Sequence, residues 1–410
     1  MKKRENFQAN YDIGKEIFKT VSEQFENGEA LLLHYNKLKN KNRLNKVEKE
    51  FINKVQYTCK NFEHSKPSSN ILGEDALQFY LFERFRNVPF PAPAEFRFTF
   101  IDLFAGVGGF RLAMQNLGGK CVFSSEWDQY AKKTYEENFG EIPFGDITKD
   151  STKSFIPKQF DVLCAGFPCQ AFSIAGKRKG FADTRGTLFF DIEAIIQKHR
   201  PKVVFLENVK NLVSHDNGKT FKVIKEILTE KLGYKVFHKV LNTMEYANIP
   251  QNRERIIIVA FDPNAVSNWA NFEFPEKIKL DLKIRDIIDK DRKEAKYYYE
   301  QDHLYFPELS KTVISKETVY QWRRVYAREN KNYACPTLTA NMGTGGHNVP
   351  IIKDNFGIRK LTPRECFSFQ GYPMNFILPE IANSKLYMQA GNTVTQPLIE
   401  RVGRKIIELL

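Results

Sequence analysis

From about residue 98 to about residue 275, short apolar runs alternate with stretches patterned for helix. No other feature constrains the fold as tightly. The runs fall at 98–104, 121–124, 161–165, 203–206 and 256–261. A strand that reads as a continuous apolar run is one covered on both faces, and strand–helix alternation builds a parallel sheet with helices on each side. The expected fold class is α/β, with the central core spanning 96–275 and acids, glycines and a Pro-Cys pair at the ends of its strands.

The chain has 410 residues, more than one compact core usually holds, and its texture changes on either side of this region. Residues 1–95 carry apolar side chains at helical spacing, through Ile17, Val21 and Phe25 and again through Val47, Phe51 and Val55. The sequence Pro89-Phe90-Pro91-Ala92-Pro93 then stops any helix. This piece is expected to be a helical extension without chemistry of its own. Residues 276–357 are rich in Tyr, Lys and Arg and read as a smaller domain of strands and loops. Residues 358–410 return to helical patterning and are expected to rejoin the central domain.

The first strand runs into Asp102-Leu103-Phe104-Ala105-Gly106-Val107-Gly108-Gly109-Phe110. A glycine-rich strand-to-helix turn lets a ligand approach the backbone beside a positive helix N-terminus. Glu126-Trp127-Asp128 follows the second run about twenty residues later, where a carboxylate can accept from ribose hydroxyls and an indole can stack on adenine. Phe144-Gly145-Asp146-Ile147 reads as a third strand end, with a carboxylate suited to an adenine amino group. These residues fit either a methyl donor or a nicotinamide cofactor. Arg111 is the one basic group close to the loop, which favours a cofactor without phosphates.

The run at 161–165 opens into Gly166-Phe167-Pro168-Cys169-Gln170-Ala171-Phe172-Ser173. A Pro-Cys pair past the carboxyl end of a parallel strand stands where α/β enzymes place chemistry. The next run ends at Glu207-Asn208-Val209. A thiol beside an acid suits covalent activation of an electron-poor ring: attack at C6 of cytosine makes C5 enamine-like, and an acid at N3 lowers the barrier. In Gln251-Asn252-Arg253-Glu254-Arg255-Ile256 the two arginines alternate and project to one side if extended, where they can hold a base, a phosphate or Glu207.

In order and spacing these segments resemble the bacterial C5-cytosine DNA methyltransferases of restriction–modification systems. The matching stretches are FIDLFAGVGGF (100–110), EWD (126–128), GDI (145–147), GFPCQAFS (166–173), ENV (207–209), QNRERI (251–256), RKLTPRECFSFQGYP (359–373) and QAGNTVTQPLI (389–399). The resemblance implies a Rossmann-like S-adenosylmethionine-dependent domain carrying a smaller, mostly β or irregular target recognition domain. It implies that Phe104, Gly106, Gly108, Glu126, Trp127, Asp146, Ile147, Pro168 and Asn392 line the S-adenosylmethionine site. Cys169 would attack C6, Glu207 would hold N3 and the amino group, and Arg253 and Arg255 would bind the base and position the catalytic residues. The helix at Arg364-Glu365 would support the recognition domain. One position departs from the family: where close relatives often carry a serine that fills the hole left by the flipped base, this chain has Ala175.

The implied partner is double-stranded DNA, with a cognate restriction endonuclease as a functional companion. A net charge of +13 suits a polyanion-binding surface. Because C5 and C6 lie inside the base stack, the cytosine must be flipped out. Gln321, Arg323, Arg324, Arg328 and the glycine-rich stretch around Gly345 are the candidates for contact with DNA, since Arg reads guanine and Gln reads adenine. Tyr297, Tyr298 and Tyr299 are expected to pack. Six cysteines without a C-x-x-C pair or zinc spacing, and no long apolar run, suit a cytoplasmic protein that binds no metal and no membrane. The resemblance implies a monomer, because each transfer acts on one flipped base. Three competing expectations are a tRNA cytosine methyltransferase of the same superfamily, a catalytically silent DNA-binding protein on this fold, and a nicotinamide-dependent oxidoreductase.

Overall fold

Strand β1 (Phe98–Leu103) lies inside a six-stranded sheet because both of its faces are apolar. Phe98 and Phe100 point to one core and Ile101 and Leu103 to the other. The computed structural model describes residues 2–65, 72–168, 188–330, 332–344 and 348–410. The other sheet strands are β2 (Gly119–Ser125), β3 (Val162–Gly166), β4 (Val203–Val209), β5 (Lys235–Asn242) and β7 (Glu254–Phe261). Their order is β2-β1-β3-β4-β7-β5. From β1 the chain goes outward to β2 and then crosses to β3 on the other side. The carboxyl ends of β1 and β3 therefore flank a topological switch point, the place where open α/β sheets bind ligands.

The strand–helix alternation predicts a parallel sheet, but the sheet is mixed. Strands β1 to β4 are parallel, but β7 runs antiparallel to both β4 and β5. The physical reason is the short link from β5 to β7, too short for the crossover that a parallel pair requires. The consequence is functional: the start of β7, not its end, arrives beside the end of β4, and Val209 faces Arg255 in the register. Likewise, Phe144 forms only a single bridge with Ser125, so the stretch at 144–147 is a loop at the sheet edge and not the end of a strand.

Helix α6 (Gly109–Asn116) and the C-terminal helix Gln396–Ile407 cover the face of Phe100, Cys164, Phe205 and Val259. Helix Leu188–His199 covers the opposite face. The N-terminal segment folds as five helices, α1 (Lys2–Ser22), α2 (Gly28–Leu33), α3 (Tyr35–Lys39), α4 (Lys46–Ser65) and α5 (Gly73–Phe85). Ile17, Val21, Phe51 and Val55 are buried as their spacing predicts, whereas Val47 is exposed in the first turn of α4. Their core is continuous with that of the sheet through Ile142, Phe144 and Ile147.

The region before residue 360 forms a four-stranded antiparallel sheet, in the order β12 (Ile358–Lys360), β11 (Ile351–Lys353), β8 (Tyr320–Arg323) and β9 (Tyr326–Glu329). Tyr299, Leu309, Tyr320, Ile351 and Ile358 form its own small core. The short β10 (Cys335–Pro336) leaves this unit to pair with β6 (Gln251–Asn252), next in the chain before β7 of the six-stranded sheet. Gly391 lets helix Asn383–Asn392 lie against Thr339, because a Cβ there would come within 2.1 Å of the Thr339 carbonyl carbon. No helix among the described residues is long and apolar enough to cross a membrane.

Candidate active site

At the switch point β1 turns sharply. Phe104 takes a left-handed φ of 54°, Gly106 one of 55° and Gly108 one of 87°. Gly108 is required twice over, since a Cβ there would come within 2.2 Å of the Phe139 ring. At Gly106, by contrast, a Cβ would meet nothing within 4 Å, so the turn borders open space. Phe104 is half-buried.

The buried Glu126 carboxylate closes the loop. Its Oε2 accepts from Gly106 N–H at 2.8 Å, and its Oε1 from Trp127 N–H at 2.8 Å and Asp128 N–H at 2.7 Å. Burial pushes this carboxyl above the usual range, while the three main-chain donors oppose the shift. A carboxylate has about four lone-pair positions, so the arrangement leaves room for one ligand hydroxyl on Oε2. The Trp127 indole is 77% exposed at the same strand end. Asp146 uses Oδ1 to accept from the main chain and hydroxyl of Thr148, each at 2.9 Å; among the described residues Oδ2 accepts no hydrogen bond. Ile147 is buried, and Asn392 is exposed at the end of its helix. Arg111, the basic group nearest the loop in sequence, is fully buried and grips Glu141 through two bonds of 2.7 and 2.9 Å. It is not available to a phosphate. The residues present therefore fit a nucleoside without phosphates, with an acid for the ribose, an indole for the base and a free carboxylate oxygen for an amino group.

Beside this lies a second group of side chains. Gly166 at the end of β3 is paired with Glu207 on β4. Glu207 is buried, and its Oε1 meets Arg255 Nε at 2.9 Å. The antiparallel course of β7 makes this contact. The other carboxylate oxygen lies on the Gly166 side, 3.8 Å from where a Cβ on that glycine would stand. Asn208 Nδ2 donates to the Phe167 carbonyl at 2.8 Å, pinning the chain just before Pro168, which is exposed. Cys169 and Ala175 lie outside the described residues, as does Gly345. All five described cysteines are buried; burial pushes the Cys121 thiol up to about 12 and those of Cys164, Cys335 and Cys366 well above their usual range. None of these four suits a thiolate nucleophile.

Arg253 and Arg255 bond to different partners. Arg253 stands in the break between β6 and β7, is fully buried, and donates to the carbonyls of Leu338 at 2.8 Å, Thr393 at 2.7 Å and Gly391 at 3.2 Å. Burial and the charge of Arg255 hold its guanidinium well below its usual basicity, with Glu207 opposing. Every carbonyl it holds belongs to a later stretch that returns to the large sheet, Leu338 just after β10 and Gly391 and Thr393 beyond the small domain. Sequence reasoning overlooked Asn208, Asp102 and Gln251. Gln251 holds Phe369 O at 2.6 Å and accepts from Leu338 N at 3.1 Å, tying β6 to the same returning segments. Its place in the matched QNRERI stretch was the available signal.

A family model described as C-5 cytosine-specific DNA methylase matches residues 98–408. The chain belongs to the C-5 cytosine-specific DNA methylase family. It is an enzyme that methylates C5 of cytosine in DNA. It is 51% identical over 309 residues to the Type II methyltransferase M.Bsp6I of Bacillus sp. (strain RFL6), covering 74% of this chain and 97% of that one. It is 46% identical over 355 residues to the Type II methyltransferase M.HpaII of Haemophilus parainfluenzae, covering 83% and 97%. Its fold is similar to that in the crystal structure of S. pombe Dnmt2 methyltransferase, with a TM-score of 0.58 at 19% identity over 77% of this chain and 98% of that one.

In this methylase the small sheet presents one polar face. Gln321 and Arg323 alternate along β8, Arg328 stands opposite Gln321 on β9, and Arg323 donates to Gln321 Oε1 at 2.9 Å. Arg324 takes a left-handed φ of 56° at the hairpin tip. Trp322, on the other face, stacks on Tyr305 at 4.2 Å and anchors the hairpin. Tyr297 and Tyr299 are buried, and Tyr298 donates to Asp354 at 2.9 Å. Helix Pro363–Ser368 is fixed by the buried Glu365, which takes two bonds from Arg359 and one from the main chain of Asp289.

Proposed function

We propose that this chain methylates cytosine within a short sequence of duplex DNA, acting on a flipped-out base through a covalent bond from Cys169 to C6, in the setting of a restriction–modification system. The observation that carries this reading is the Glu207–Arg255 pair at 2.9 Å, set beside the strand end that leads into Pro168 and Cys169.

Arg255 holds one oxygen of Glu207, which leaves the other, carrying a proton, to donate to N3 of the base. Sγ of Cys169, as the thiolate, adds to C6, and Glu207 gives its proton to N3, which takes up the displaced electron pair and leaves C5 enamine-like. S-adenosylmethionine, when bound, supplies the methyl group that C5 takes up. A solvent water then takes the C5 proton, Sγ is expelled as thiolate and N3 returns its proton to Glu207, restoring the ring. Phe104, Gly106, Gly108, Glu126, Trp127, Asp146, Ile147, Pro168 and Asn392 form the cofactor's surroundings. Arg253 acts at one remove, keeping the returning segments closed over the site. Gln321, Arg323, Arg324 and Arg328 form the surface offered to DNA; Gly345, the remaining candidate, lies outside the described residues.

The test is transfer of label from S-adenosylmethionine to unmethylated duplex DNA, with tRNA alongside and base-resolution sequencing of the product. Label at C5 of cytosine within one short motif supports the reading. Label confined to tRNA would change the substrate, and none in either would remove the activity.

A further inference from the structure

The peptide group just before Asp146 is held from two sides. Ser125 Oγ donates to the Gly145 carbonyl at 2.8 Å. On the other side, Gly145 N–H donates to Asn27 Oδ1 at 2.5 Å, across 118 positions of sequence. Asn27 lies in the N-terminal helices, outside the segment matched by the family model.

The conformation of Asn27 points the same way. It occupies the N-cap position of α2 with a left-handed φ of 66°, yet its side chain makes no capping bond. Capping its own helix is the usual role of an asparagine there. Here the oxygen reaches Gly145 instead, and Nδ2 donates to Thr152 Oγ1 at 3.4 Å. Neighbouring groups grip the same loop. Glu26 pairs with Lys149 and accepts from Ser151 Oγ at 2.8 Å. The His34 ring stacks on Phe144 at 5.7 Å and 8°. Phe144 in turn stacks on Phe123 of β2 at 5.1 Å. Three residues of the extension thus fix the segment from Phe144 to Ser151, and Asp146 with its open Oδ2 stands in the middle of it.

We propose that Asn27 is a positioning residue for the cofactor site, so that the extension sets the placement of the adenine-binding loop. The proposal rests on the reading of Asp146 as a cofactor contact. With the Gly145 amide released, the peptide just before Asp146 is held from one side only, by Ser125, and Asp146 is less firmly placed before the ligand arrives.

The test uses the full chain and S-adenosylhomocysteine as the probe, with calorimetric binding and hydrogen exchange over the loop. Asn27→Gly keeps the left-handed backbone and removes the acceptor; Asn27→Asp restores it. The expected result for Asn27→Gly is a Kd weakened about three- to tenfold, the effect of one lost hydrogen bond, with faster exchange at 144–149 and an almost unchanged melting temperature. Asn27→Asp should bind close to wild type. Unchanged binding in Asn27→Gly, alongside weakened binding in Asp146→Ala, overturns the role of Asn27 and leaves the cofactor reading standing. Unchanged binding in both overturns the reading of the loop as well. Weakened binding that comes with a lowered melting temperature and is not restored by Asn27→Asp also overturns the positioning role.

Discussion

Arg255 Nε lies 2.9 Å from Glu207 Oε1, and the contact exists because β7 runs antiparallel to β4. A guanidinium that holds one carboxylate oxygen fixes the direction of the other. Replacing Glu207 with Gln should lower the rate constant for methyl transfer about 10²-fold or more while DNA affinity stays within a few-fold. Arg255→Lys should lose less rate than Arg255→Ala, because an ammonium retains the charge without the fork. Single-turnover rates and DNA titrations of the three variants check this. Equal loss in both Arg255 variants would mean that the charge contributes nothing.

Arg253 should behave differently. Its truncation leaves three buried carbonyls without a donor, at about 1–3 kcal/mol for each group left unsatisfied. Arg253→Met should therefore lower the melting temperature and activity together, whereas Glu207→Gln lowers activity alone. Thermal unfolding of both variants separates the two cases.

Asp102 predicts a pH effect on stability. It is buried on the α6 side of β1, and neither carboxylate oxygen makes a hydrogen bond of normal geometry, though the main chain of Arg111 gives partial support. Burial raises its native pKa well above the usual aspartate value. The unfolded chain then gives up the proton more readily than the folded one, so stability is full below the usual aspartate pKa and is lost as pH rises through the raised native value. Asp102→Asn does not ionise. Its melting temperature should gain on wild type by roughly 2–4 °C as pH rises through that window. A gap that stays constant with pH would show that Asp102 does not titrate there.

Glu126 ties cofactor affinity to pH. Its carboxyl is also raised by burial, and only the ionised form accepts a ligand hydroxyl with full strength. Affinity for S-adenosylhomocysteine should fall with acid at a pH above the usual glutamate range. Glu126→Gln should bind roughly ten- to a hundredfold more weakly, with no such pH dependence. Calorimetry across pH checks both.

Arg323 projects from the hairpin onto the polar face of the small sheet, with its side chain resting on Gln321. Arg323→Ala should relax selection at one base position by about 1–3 kcal/mol, seen by sequencing methylated products from a randomised target pool. An unchanged preference would make it a phosphate contact.

The parts legible in the sequence are those whose surroundings are uniform. β1, β3 and β4 are buried on both faces and so appear as apolar runs, and the acids at their ends stand out against them. β5 is an edge strand with mostly exposed or half-buried residues, including Lys235 and Lys239, and carries no such run. The direction of β7 is not written in its apolar pattern; the short link from β5 decides it. Arg253 and Arg255 alternate as if on one strand, yet the break between β6 and β7 sends them to different partners. Asn27 gave no signal, because its meaning depends on a peptide 118 positions away.

The most direct test of the account is covalent trapping on duplex DNA in which the target cytosine is 5-fluorocytosine, followed by peptide mapping of the adduct. Fluorine cannot leave C5, so an enzyme working through C6 stalls on its substrate. The account predicts a stable adduct that needs S-adenosylmethionine, maps to Cys169 and disappears in Cys169→Ala. An adduct at another residue, or methyl transfer that survives in Cys169→Ala, would contradict it.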